Sequence, residues 1–346
     1  MKPFAERLIA WHERHGRHDL PWQRDRSPYR VWVSEIMLQQ TQVATVVGYF
    51  ERFMERFPSV HALAAAPVDE VLHLWSGLGY YARARNLHRA AGLLVARHAG
   101  EFPWTVDEVA SLPGIGRSTA GAILAQSRDL PCAILDGNVK RVLTRHRRIA
   151  GWPDAPAVQK ILWPLAGALT PAMRAGDYAQ AIMDLGATLC TRANPRCTEC
   201  PVREDCAAQA QGEQALYPTP RPKKTLPVRT TIFLLLKRGD GALLLERRPP
   251  RGIWGGLWGF PEATQSRGLE EICARYGLAA SGETRALPSL THTFTHFRLD
   301  ITPLALDVTE RGAVCMESPD LLWYNAAAPA VVGLARPVQD LLRAQE

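Results

Sequence analysis

Apolar residues return at helical spacing through the first two hundred positions. Phe4, Leu8 and Trp11 share one face of a helix predicted over 4–15, and Gly16 to Pro21 read as a loop. Ser27 and Pro28 predict the next start, as cap and first-turn proline, of a helical stretch running on through Val43. Val31, Glu35 and Leu38 stand at i, i+4 and i+7 there, so one carboxylate lies on an otherwise apolar stripe. Helical patterns recur over 49–57 and 68–75. Thr105 with Glu108 forms a capping box that starts a helix through Val109; Pro113 and Gly114 stop it, and Gly116 opens another. The pattern changes after 215–227, where four prolines and three cations predict an extended, stiff linker. Beyond it, 228–237 and 242–246 flank Arg238-Gly239-Asp240-Gly241 as a β-hairpin, and 290–303 alternates as a half-exposed strand.

This organisation and a length of 346 residues predict two domains, 1–214 and 228–346, joined by the linker. Charge divides them further. The net charge is +7, yet from Val228 onward 13 Lys/Arg meet 13 Asp/Glu, which leaves 28 against 21 in the first 227 residues. A basic first part beside a neutral second part points the first at a polyanion. The apolar run 232–236 is far too short to span a bilayer, and the start carries charges in place of a signal-peptide core, so a soluble cytoplasmic protein is expected. Of seven cysteines, four cluster as C-x6-C-x2-C-x5-C at Cys190, Cys197, Cys200 and Cys206, which fits a metal or iron–sulfur site better than a disulfide framework. A zinc site is the competing reading, although zinc ribbons usually present two C-x2-C pairs.

Several residues carry candidate chemistry. A two-glycine turn between helices, 112–120, aims backbone N–H groups at a helix N-terminus, which suits a phosphate oxygen; the plainer reading makes Gly114 a C-cap and Gly116 a joint. Asp136 is either a cap for a helix beginning near Asn138 or a carboxylate held where positive charge develops. Glu35 is either a solvated helix-edge residue or a general acid with a desolvation-raised pKa. Between 76 and 86, Gly77, Gly79, Tyr80, Tyr81, Arg83 and Arg85 combine rings with cations, suited to base stacking and phosphate clamping, or else form a turn with core tyrosines. His292 and His296 read as strand-face polar residues rather than metal ligands.

The hairpin followed by Asp136 resembles the base-excision DNA glycosylases related to endonuclease III. The run Ser34-Glu35-Ile36-Met37-Leu38-Gln39-Gln40-Thr41 is similar to the catalytic helix of the MutY-type adenine DNA glycosylases. That resemblance implies an all-helical helix-hairpin-helix glycosylase domain, with the hairpin at about 105–125 and a cluster loop at 190–206, followed by an α+β Nudix-like domain. It makes Glu35 and Asp136 catalytic, and it makes the four cysteines ligands of a 4Fe-4S cluster whose loop offers Arg192, Arg196 and Arg203 to phosphates. Trp22, Leu38, Ser118 and Asp184 would line an adenine pocket. Gln40 and Tyr80 would wedge into the duplex, Thr41 and Leu78 would lie beside the lesion, and Gly114, Gly116 and Lys140 would contact DNA. Where bifunctional relatives carry a nucleophilic lysine this chain has Ser118, so no efficient lyase step is expected. Residues 255–262 resemble the entry to the Nudix fold, but Glu270 and Glu271 alone make an incomplete magnesium cage, so that domain should bind without hydrolysing. Phe294-Thr295-His296 matches the loop, usually Phe-Ser-His, that reads 8-oxoguanine; threonine keeps the hydroxyl and adds a methyl.

The implied activity is removal of adenine mispaired with 8-oxoguanine or guanine in double-stranded DNA, by a monomer. Three other readings remain: a bifunctional endonuclease III-like glycosylase/lyase, a non-catalytic DNA-binding iron–sulfur protein, and a nucleotide-cleaning Nudix hydrolase.

Overall fold

The apolar stripe read over 4–15 becomes the helix Phe4–His15, which buries Phe4, Leu8, Ile9 and Trp11. The computed structural model describes residues 2–222, 225–264, 268–311 and 318–345. These divide into two compact units: one holds the residues through Ala65 and from Asn86 to the proline-rich segment, and the other joins Ala66–Arg85 to everything after it. Lys223 and Lys224 of the proline-rich segment lie outside the described residues.

The first unit is helical. Its core gathers Leu8, Trp11, Leu143, Leu162, Tyr178 and Leu185 around the helix Ala175–Asp184. That helix lies close to Arg117–Arg128 because Gly176 leaves no side chain to collide: a Cβ there would stand 2.6 Å from the Ala125 carbonyl oxygen. Asp129, left-handed at φ 54°, ends one helix and starts the other by accepting from the Arg174 and Gly176 amides, each at 2.9 Å. Residues 217–221 lie against this unit: Arg145 donates to the Tyr217 carbonyl at 2.9 Å, the Gly151 amide donates to the Thr219 hydroxyl at 3.0 Å, and Arg221 covers the Trp152 ring.

One boundary and one cap differ from the sequence reading. The helix begun at Pro28 ends at Leu38, not Val43, because Gln40 turns to φ 61° and a new helix, Val43–Arg56, starts after it. Ser27 precedes the start, but its side chain caps nothing.

The second unit is built on a mixed sheet. Val228–Lys237 runs parallel to Arg298–Glu310 from Val228↔Arg298 to Lys237↔Asp307, and turns back antiparallel into Leu243–Arg247 as the hairpin signal predicts. Period-2 alternation puts Leu234, Leu236, Leu304 and Leu306 on one face, where Cys273 of the helix Leu269–Arg275 covers them. The strand predicted over 290–303 is two strands, Leu290–Thr293 and Arg298–Glu310, paired antiparallel across a turn closed by Phe294 N donating to the Phe297 carbonyl at 2.9 Å. The alternation slips by one residue at that turn, from even positions through Phe294 to odd positions from Phe297 onward, and that slip is where the single predicted strand breaks into two. Among the described residues no helix is long and apolar enough to cross a membrane.

Candidate active site and nucleic-acid interface

Glu35 sits half-buried in the last turn of Pro28–Leu38. Its Oε1 accepts from Gln126 Nε2 at 3.0 Å, a buried side chain on Arg117–Arg128. Removal from water pushes the Glu35 carboxyl up to about 7; the Gln126 hydrogen bond opposes this and the nearby charge of Asp136 adds to it. Asp136 belongs to the same field. It caps the helix Gly137–Arg147, its Oδ1 accepting from the Val139 amide at 2.8 Å and its Oδ2 from Asn138 Nδ2 at 3.2 Å. Burial pushes its carboxyl above the ordinary value, while those bonds and the charge of Arg141 pull the other way. The cap holds the Asp136 carboxylate in place, so the capping role does not exclude a chemical one. Ser118 secures the residue before it by accepting from the Leu135 amide at 2.9 Å.

The far side of Asp136 leads to the cysteines. Arg141 donates from Nη2 to Asn138 Oδ1 at 2.8 Å and to the Gly186 carbonyl at 2.6 Å, and from Nε to the Cys190 carbonyl at 2.7 Å. One turn on, the buried Arg145 reaches the Thr191 carbonyl at 2.7 Å and Cys190 Sγ at 3.4 Å. The four thiols line one cavity with Val142, Leu185 and Leu189. Burial pushes the Cys200 thiol up to about 12, and the negative charges of Cys190, Cys206 and Cys197 would add to that. Among the described residues no three His, Cys, Asp or Glu side chains converge tightly enough to hold a single metal ion. Four thiols lining one cavity are a donor set that one shared metal group could use. Of the loop arginines, Arg196 pairs with Glu199 at 3.2 Å, Arg203 donates to the Thr198 carbonyl at 2.7 Å, and Arg192 is exposed.

In the hairpin, Thr105 caps Val106–Ala110 by accepting from the Glu108 amide, as the capping box predicts. Gly114 is required by the fold: φ is 79°, and a Cβ would stand 2.7 Å from that of Asn86. Gly116 is not, since a Cβ there meets nothing within 4 Å. Its bareness leaves the N-terminus of Arg117–Arg128 open to an approaching phosphate.

The remaining candidates fall in different settings. Trp22 is buried edge-to-face against Phe50 at 5.4 Å, and Leu38 is half-buried at the end of the Glu35 helix. Asp184 is fully buried; it accepts from Arg17 Nη2 at 2.5 Å, from the Arg17 amide at 2.8 Å and from Gln180 Nε2 at 2.8 Å, with His12 Nε2 3.3 Å away. Burial raises its pKa, but the hydrogen bonds from His12 and Arg17 outweigh that and hold it below the ordinary value. Lys140 pairs with Asp154 at 2.5 Å. Thr41 is half-buried beside Gln40, which is exposed and left-handed. In the second unit Tyr80 is likewise left-handed, at φ 50°, with 46% of its surface exposed. Two of the residues expected to enter the duplex thus hold a backbone conformation that non-glycine residues seldom adopt. Leu78 is buried. Arg83 and Arg85, read as phosphate clamps, turn inward: Arg83 donates to the Leu78 and Gly79 carbonyls and Arg85 to that of Gly255. Phe294 stacks on Phe297 at 4.5 Å, while Thr295 and His296 stand exposed at the hairpin tip.

Sequence reasoning missed Gln126, Asn138 and Arg141. A glutamine closing the apolar run 120–125 was the available signal for the first; the other two are ordinary helix-surface residues until the cysteine loop folds onto them.

The Glu35 environment sets a stability test. Because its folded pKa lies above the ordinary 4.5, the penalty for ionising it accumulates as pH rises from that value and is complete above about 7. Glu35→Gln escapes that penalty, so its stability advantage over the native chain should widen by about 2 kcal/mol between pH 5.5 and 8.5 in denaturant unfolding. A constant difference would show that the carboxyl is not desolvated.

Residues 33–167 match the family described as HhH-GPD superfamily base excision DNA repair protein, and residues 232–344 match the NUDIX domain. The adenine DNA glycosylase of Buchnera aphidicola subsp. Acyrthosiphon pisum is 38% identical over 98% of this chain and 96% of its own. The adenine DNA glycosylase of Homo sapiens is 35% identical over 93% of this chain and 70% of its own. A thermostable thymine-DNA glycosylase shares the fold over 60% of this chain and 95% of its own, with a TM-score of 0.55 at 24% identity. Endonuclease III in a non-covalent DNA complex does so over 60% and 94%, with a TM-score of 0.51 at 22% identity. With relatives this similar over nearly its whole length, the chain belongs to the adenine DNA glycosylases of the helix-hairpin-helix base-excision superfamily, with a Nudix-like domain at its carboxy-terminal end.

Proposed function

We propose that this chain is a monofunctional glycosylase that hydrolyses the N-glycosidic bond of adenine mispaired with 8-oxoguanine or guanine in double-stranded DNA, working as a monomer in the cytoplasm. The observation that carries the reading is the Glu35–Asp136 pair: two carboxyl groups in one field, one poised near neutrality and the other anchored as a helix cap. Paired acids with separate tasks are what cleavage of a glycosidic bond requires.

The adenine leaves the stack, at a cost lowered by the mispair. Protonated Glu35 gives its proton to N7, the bond from C1′ to N9 breaks with its electrons passing to the base, and neutral adenine departs. The sugar is left oxocarbenium-like, and the Asp136 carboxylate stabilises that charge. Water adds to C1′ and returns a proton to Glu35, which restores the acid. Trp22, Leu38 and Asp184 line the base pocket in this reading, and Gln40 and Tyr80 enter the duplex, with Thr41 and Leu78 beside the lesion. Gly114 and Gly116 receive a phosphate. Ser118 supplies no amine for a Schiff base, and the Lys140 ammonium is held by Asp154.

Cys190, Cys197, Cys200 and Cys206 hold a 4Fe-4S cluster in this proposal, supported by their shared cavity and their spacing. When bound, the cluster supplies a rigid cross-link of the 190–206 loop. Arg141 and Arg145 fasten that loop to the helix capped by Asp136. In the second unit the Phe294-Thr295-His296 tip reads the base opposite the adenine, and the unit binds without hydrolysing, its Glu270 and Glu271 both lying exposed.

Under single-turnover conditions on a labelled adenine:8-oxoguanine duplex, Glu35→Gln and Asp136→Asn should each slow excision by about 10²–10⁴-fold while mismatch binding persists. The native rate should fall as pH rises through about 7, because the acid form of Glu35 is the one that acts. Normal excision by either variant, or a rate that climbs through that range, contradicts the assignment. Protein purified without oxygen should be brown and carry iron and acid-labile sulfide in equal amounts; a colourless, zinc-containing preparation overturns the cluster.

A further inference from the structure

The stretch Ala66–Arg85 packs with the residues that follow the proline-rich segment. Four ties hold it there. Asp69 Oδ2 accepts from Arg247 Nη2 at 2.7 Å. The Tyr81 hydroxyl donates to the Leu334 carbonyl at 2.9 Å and accepts from the Gly77 amide at 3.3 Å. The Leu334 amide donates to Ser76 Oγ at 3.5 Å, and Arg85 Nη1 donates to the Gly255 carbonyl. Tyr80 stands amid these ties with an exposed ring and a left-handed backbone, so its presentation depends on how its flanks are held.

Gly255 lies beneath the reading tip. The residue before it, Trp254, is left-handed at φ 53° and buried, and its ring lies 5.3 Å from those of both Phe294 and His292. A Cβ on Gly255 would stand 2.5 Å from the Pro250 carbonyl oxygen. Gly256 is at φ 74°, with Arg85 Cδ 3.4 Å from the place its Cβ would take. Phe294 and His292 both face the Trp254 ring and Gly255 is held against the Pro250 carbonyl, so a displacement of Phe294 would bear on Trp254 and on the Gly255 carbonyl next to it. The guanidinium of Arg85 takes that carbonyl in a charge-assisted bond, and the bond sits five residues from Tyr80.

We propose that Arg85 is a positioning residue for substrate discrimination: it ties the stretch bearing Tyr80 to the Trp254–Gly255 turn under Phe294, so the base met by the reading tip governs how the wedge tyrosine is presented. The inference rests on the assignments of Phe294-Thr295-His296 and Tyr80 made above. It differs from a contact role, since Arg85 touches neither the adenine nor the opposing base in that reading.

Single-turnover excision by the whole chain, on duplexes with adenine opposite 8-oxoguanine or guanine, tests it. Excision of both by the native chain, faster opposite 8-oxoguanine, supports the underlying function; no excision of either overturns that function and the inference together. Arg85→Met should cut the preference for 8-oxoguanine about tenfold while leaving the adenine:guanine rate unchanged. Arg85→Lys, which keeps a charged donor, should retain most of it. Arg85→Met combined with Phe294→Ala should lose no more preference than Phe294→Ala alone. If Arg85→Met melts early, Arg85→Gln carries the same comparison. Equal losses on both mispairs, or independent losses that multiply in the double variant, overturn the inference.

Discussion

A carboxyl group held out of water beside a second acid is the arrangement on which the rest depends. Glu35 is costly to ionise where it stands, and Gln126 relieves the cost only in part. Such a group would be selected against as mere structure, because a neutral side chain of the same shape fits the same place without penalty. Its proximity to Asp136 makes the cost useful. Each acid disfavours ionisation of the other, but Asp136 is the one given a helix N-terminus, a backbone amide and a nearby arginine, so it is the one equipped to carry the negative charge.

The helix Gly137–Arg147 turns that asymmetry into architecture. Its first residue is capped by the acid, and its next turns carry Arg141 and Arg145, which grip the carbonyls around Cys190. The cysteine loop is therefore fastened to the same short rod that orients Asp136. A Cβ on Gly186 would come within 2.6 Å of Asn138, so the two backbones meet without a spacer. In the second unit a comparable economy appears around Trp254, where glycines and a left-handed tryptophan shape the turn against which Phe294 packs.

Much of this was legible in the sequence because it depends on local rules. The capping box at Thr105, the two-glycine turn, the hairpin at 238–241 and the acid on an apolar stripe are each set by a few neighbouring residues, and each formed as read. The resemblance to the glycosylases rested on such runs, and relatives at 35–38% identity bear it out. One local sign escaped: the alternation over 290–303 slips by one residue between Phe294 and Phe297, where the turn falls. The rest of what escaped was non-local. Arg83 and Arg85 look like phosphate ligands in a basic, aromatic stretch, and only the fold shows that carbonyls take them instead. Gln126 becomes meaningful only when two helices far apart in the chain bring it to Glu35.

The central claim is that Glu35 is desolvated and feels the charge of Asp136. Carboxyl-carbon NMR titration with the Glu35 side chain isotopically labelled measures both at once, in the native chain and in Asp136→Asn. A midpoint near 7 that moves down when the Asp136 charge is removed is the predicted result; a midpoint at the ordinary 4.5, or one indifferent to Asp136, would contradict the account.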